Sequence, residues 1–77
     1  MDEIKLTQVL ESFDLDSAKI EEIVLAFKDM EKNPQPYIDE ANKKGLYFDT
    51  IKKQMAVEDD WRKKAALAAK LISIDLE

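Results

Sequence analysis

The chain has 77 residues, a formal net charge of −5, and neither cysteine nor histidine. That length bounds it to a single domain, 1–77. The missing cysteines exclude disulfides and thiolate metal sites, and the missing histidines remove the commonest neutral-pH base and transition-metal ligand. One glycine and two prolines are too few for strands joined by tight turns, so the expected fold is all-α.

A first helix is expected from near Glu3 to Phe13, because Leu6, Val9, Leu10 and Phe13 fall at i, i+3, i+4 and i+7. Asp16 or Ser17 can cap a second helix, with Leu15 and Ile20 at the staple positions. This helix reaches about Lys32 on a stripe of Ile20, Ile23, Val24, Phe27 and Met30, with Leu25 off the stripe. The prolines of "KNPQP" end it.

Pro36 suits the first position of a short third helix, Tyr37 to Lys44, and Gly45 is its left-handed stop. The following "LYF" is expected to plug into the core. Asp49 or Thr50 can cap a fourth helix carrying Ile51 and Met55. The stripe then changes phase, which predicts a turn at Ala56–Val57. Glu58, Asp59 and Asp60 then form the acidic first turn of a fifth helix. One continuous helix over 50–74 is the alternative, since no glycine or proline enforces the break.

The fifth helix contains "KKAALAAKLISI", apolar almost all the way round. Burying a leucine or isoleucine stabilises by ~1.5–3 kcal/mol, so such a helix belongs inside a bundle or between subunits. The expected architecture is a four- to five-helix bundle with the C-terminal helix central. A hydrophobic echo at an offset of 42 residues aligns "IVLAF" (23–27) with "AALAA" (65–69); it matches in pattern only.

Charge is uneven. Residues 1–40 hold four lysines against eleven carboxylates, and residues 41–77 hold eight cations against six carboxylates. The chain opens "MDEIK", without the basic-then-apolar pattern of a signal peptide. The apolar run 65–74 is half the ~20 residues of a membrane span. The expected setting is cytoplasmic, with no membrane partner.

No catalytic constellation is expected. The pairs Glu21–Glu22, Asp39–Glu40 and the run Glu58–Asp60 sit on neighbouring helical positions, which diverge by about 100°. "DLDSAKIEE" lacks the central glycine of a calcium loop, and Leu25 stands where its twelfth-position glutamate belongs. Ser12, Ser17 and Ser73 have no activating base. A single glycine cannot build a phosphate-cradling loop. No cofactor or metal site is expected.

Residues 51–67, "IKKQMAVEDDWRKKAAL", resemble in spacing the helix-turn-helix of DNA-binding regulators. That resemblance implies a turn at Met55–Val57, a recognition helix opened by Glu58–Lys64, and phosphate contacts from Lys52, Lys53, Arg62, Lys63 and Lys64. Ala56 stands where glycine is usual, and three acids lie where the helix would approach a phosphate backbone.

Two functional expectations result. The first is a small non-enzymatic interaction module: an adaptor, inhibitor or assembly factor in the style of small bacterial or phage proteins. It would bind a protein partner, or itself, through Leu25, Trp61, Leu67, Leu71 and Ile74. The second is the DNA-binding regulator, dimeric through the fifth helix. A domain cut from a longer chain is a third reading.

Overall fold

A computed structural model describes residues 2–76. Its elements are all helical: α1 (Glu3–Glu11), α2 (Ser17–Lys32), α3 (Gln35–Lys43), α4 (Phe48–Val57) and α5 (Trp61–Leu71). The all-α bundle with a central C-terminal helix is therefore what the chain forms, for α5 packs against each of the other four helices.

The reason lies in its small side chains. Ala65, Ala68 and Ala69 are buried together with Leu71, and alanine lets neighbouring backbones come close enough to seal a short rod on several sides. Leu6 and Leu10 of α1, Ile20, Ile23, Phe27 and Met30 of α2, Ala41 of α3 and Phe48 of α4 close around it. These are the stripes that the i, i+3, i+4 spacing predicts for α1 and α2.

Helix ends follow local chemistry. Asp2 accepts from the Ile4 and Lys5 amides at the start of α1. Asp16 accepts from the Lys19 amide at 2.7 Å and caps α2, as its position predicts. Both α3 and α5 stop in Schellman motifs. The Leu46 amide donates to Ala41 O and the Gly45 amide to Asn42 O; likewise Ile74 donates to Ala69 O and Ser73 to Lys70 O. The left-handed residue is Gly45 (φ 74°) in the first and Ser73 (φ 62°) in the second.

Four boundaries depart from expectation. Helix α1 ends at Glu11 rather than Phe13, because residues 12–14 form a turn with Asp14 left-handed at φ 59°. Helix α3 begins at Gln35, with Pro34 at its cap position and Pro36 one place further in. Helix α4 begins at Phe48 without a side-chain cap; burial of Phe48, not hydrogen bonding by Asp49 or Thr50, fixes its start. "LYF" inserts only in part, since Tyr47 is exposed.

The fourth departure is the α4–α5 break. The chain forms two helices, but Ala56 and Val57 stay in α4 and the connection is Glu58–Asp60. The three acids are linker rather than first turn. Asp60 turns back to accept from the Arg62 amide at 2.9 Å, which caps α5. Helix α5 itself ends at Leu71, three residues before Ile74.

Candidate functional site

The residues singled out on the fifth helix do not form one surface patch. Leu71 is 0% exposed and belongs to the core. Trp61 and Ile74 are half-buried against that core, and Leu67 is half-buried on α5. Trp61 opens α5 and Ile74 follows its end; about 16 Å of helix separates the two ends. Ile74 instead lines a shallow depression with Lys44, Leu46, Lys70, Ser73 and Asp75.

The five cations of the DNA-binding alternative are also divided. Arg62 donates to Ser12 O at 3.0 Å and Ser12 Oγ at 2.7 Å, and its guanidinium lies 4.1 Å from the centre of the Phe13 ring. Lys64 lies 5.2 Å from the centre of the Trp61 ring and donates to Glu58 O at 3.5 Å. Arg62 and Lys64 therefore hold the start of α5 in place. Lys52, Lys53 and Lys63 are exposed. The turn between α4 and α5 is three residues long, as in helix-turn-helix units, but all three are acidic.

Leu25 has a different setting. It is 55% exposed and forms part of a groove of about 440 Å³ between α1 and α2. Thr7 and Glu11 line the α1 side; Ser17, Ile20, Glu21, Val24 and Leu25 line the α2 side. Ile20 and Val24 give it an apolar floor. Beyond the groove, Ile4 shares the face of α1 that carries Thr7 and Glu11, at i−3 and i−7 from them, and is 73% exposed. An ion pair of 3.5 Å between Glu3 and Lys28 holds this end of α1 beside α2. The Arg62 contacts with Ser12 and Phe13 secure the other end.

The groove is acidic. Residues 2–32 carry nine carboxylates and four lysines, while residues 33–77 carry eight of each sign. The whole net charge of −5 thus resides on the α1–α2 hairpin. Three of its lysines are engaged: Lys5 lies 5.3 Å from the centre of the Trp61 ring, Lys19 pairs with Glu22 at 3.0 Å, and Lys28 pairs with Glu3. Among the described residues, Glu11 and Glu21 have no cationic partner.

Sequence reasoning marked Leu25 but missed Thr7, Glu11, Glu21 and Val24 as parts of one surface, and exposed Ile4 on the same face of α1. The available signal was Ile4: it falls outside the Leu6, Val9, Leu10, Phe13 stripe, as Leu25 falls outside that of α2.

The structure defines a small all-α, five-helix fold whose central helix buries Ala65, Ala68, Ala69 and Leu71. Comparison with known protein families, curated proteins and solved structures finds no match to this chain. Among the described residues, no group of three or more carboxylates is placed to hold a metal ion, and no helix is long and apolar enough to cross a membrane.

Proposed function

We propose that this chain is a small non-enzymatic interaction module of the cytoplasm, acting as an adaptor, inhibitor or assembly factor, and that the α1–α2 groove is its docking surface. The observation that carries this reading is exposed Leu25 on the rim of an apolar-floored groove, with exposed Ile4 on the same face of α1 as Thr7 and Glu11. Exposed apolar side chains beside a concave surface gain more from a partner than scattered ones do. Affinity would come from Leu25, Val24 and Ile4, and orientation and on-rate from the surrounding carboxylates. The α5-centred surface contributes less to this reading, because Leu71 is interior and Trp61 and Ile74 already pack on the core.

The competing reading, a DNA-binding regulator using α4 and α5, retains Lys52, Lys53 and Lys63. Against it stand the acidic linker Glu58–Asp60 and the engagement of Arg62 and Lys64 within the fold.

A photo-crosslinking residue separates the readings. It is placed singly at Leu25, Val57 and Lys63, all exposed, in cells producing the protein. Discrete protein adducts from position 25, absent at 57 and 63, are expected. Adducts to nucleic acid from position 63, or equal labelling at all three positions, would contradict the proposal.

A further inference from the structure

We infer that the occupant of the α1–α2 groove is a basic amphipathic helix of a partner protein. It would lie between the two helices, apolar side chains on the groove floor and lysines or arginines on both walls. This rests on the docking role of the groove and adds the chemistry of the ligand.

Geometry gives the first argument. Helix α1 packs only against α2 and α5 among the helices, so its outer side is open. The lining positions Ser17 to Leu25 cover about 12 Å, close to two helical turns. A partner helix with apolar residues at i, i+4 and i+7 matches that length and presents one narrow stripe to a narrow groove. The docked helix would then complete a three-helix layer.

Charge gives the second. Glu11 stands on the α1 wall and Glu21 on the α2 wall, and neither has a cationic partner among the described residues. The net charge of the whole protein lies on residues 2–32, the hairpin that forms the groove, with Asp2, Asp14 and Asp16 at the caps and turn adding to the carboxylates of the two helices. A helix with cations flanking its apolar stripe meets a carboxylate on each side, whereas an acidic helix or a nucleic acid is repelled.

A second copy of the chain is a poorer occupant. Its most cationic helix, α5, has Ala65, Ala68, Ala69 and Leu71 in its own core and cannot offer them outward. Helix α4 offers Val57 beside Lys53, which is one apolar anchor for a groove that takes two or three.

The test uses the full chain and a fluorescein-labelled helical peptide of roughly twelve residues, three turns. Its stripe is leucine and its flanks are lysine and arginine. A second peptide keeps the leucines and carries glutamate on both flanks. Anisotropy titrations at two salt concentrations are run with the native chain, Glu11→Gln/Glu21→Gln, Leu25→Ser and Val57→Ser. All four positions are exposed, and circular dichroism verifies the fold. The basic peptide is expected to bind about tenfold or more tightly than the acidic one, a difference that shrinks with salt. The double glutamine variant should weaken the basic peptide about fivefold and flatten its salt dependence. Leu25→Ser should weaken both peptides, and Val57→Ser neither.

Equal binding of the two peptides, still sensitive to Leu25→Ser, would overturn the basic partner while leaving the docking surface standing. Basic-peptide binding indifferent to Leu25→Ser would remove the groove as its site and so overturn both. No binding of the basic peptide, or concentration-dependent dimerisation abolished by Leu25→Ser, would also overturn the inference.

Discussion

The Arg62 guanidinium stacks over the Phe13 ring at 4.1 Å and donates to Ser12 Oγ at 2.7 Å, joining the start of α5 to the α1–α2 turn across about fifty residues of sequence. This contact sets where the hairpin sits on the central helix, and therefore how the groove is held. Arg62→Ala removes an exposed cation–π contact and two exposed hydrogen bonds, so it should cost about 1 kcal/mol. In a domain of this size that lowers the Tm by roughly 4–8 °C. A double-mutant cycle with Phe13→Leu should show coupling of about 0.5 kcal/mol or more; additive effects would contradict the contact.

Ser73 occupies a position that glycine fills at the end of α3. Its φ of 62° is strained for a side chain, and its Oγ is buried without a hydrogen-bond partner. Ser73→Gly removes both costs at the expense of some unfolded-chain entropy. It should stabilise by about 0.5–1 kcal/mol, read from the urea midpoint at unchanged m-value. A loss of stability would show that the serine is favoured there. Gly45→Ala, by contrast, should destabilise; no heavy atom lies within 4 Å of the built Cβ, so the cost is backbone strain alone.

Leu71 and Leu25 are both leucines set in apolar helical context, and the structure separates them completely. Leu71→Ala opens a cavity in a fully buried site and should cost about 2–5 kcal/mol. A domain of this length has roughly 4–12 kcal/mol in total, so the variant should be partly unfolded or nearly so at ambient temperature. Leu25→Ala should change stability by no more than about 0.5 kcal/mol. Thermal denaturation of the pair checks the ordering, and similar losses for both would contradict it.

Tyr37 links α3 to α2. Its hydroxyl donates to Asp29 Oδ2 at 2.7 Å. That hydrogen bond, then burial, then the Asp29 charge raises the phenol above its ordinary value of 10.0. The folded pKa lies above the unfolded one. The stability this contributes is therefore fully present below pH 10 and lost as pH rises through the folded pKa. Tyr37→Phe should lack this alkaline loss. Superimposable stability–pH curves for the two proteins above pH 10 would contradict the linkage.

Much of the fold is legible in the sequence because helices advertise themselves by period. The stripes of α1 and α2 place Leu6, Leu10, Ile20, Ile23, Phe27 and Met30 in the core, where they lie. The Asp16 cap and the left-handed Gly45 follow from single residues. The α4–α5 break is less legible. The acids Glu58–Asp60 suit a first helical turn as well as a linker, and only the return of Asp60 to the Arg62 amide decides between them.

Left-handed Asp14 and Ser73 carry no composition signal, since neither is glycine. The groove is hidden for another reason. Its members are the residues outside each helix's core stripe, and which of them face one another depends on how α1 and α2 dock. The all-round apolar pattern of "AALAAKLI" correctly implies burial, but it cannot say whether the cover is the chain's own helices or a second copy.

Hydrogen exchange of the α5 amides decides that point most directly, and the placement of every available binding surface depends on it. If the other four helices cover α5, the amides of Ala69 and Leu71 exchange only by global unfolding. Their protection then equals the unfolding free energy and does not change with protein concentration. Protection that rises with concentration, or α5 amides that exchange faster than those of Ile23 and Phe27 in α2, would make α5 a seam between copies and contradict the account.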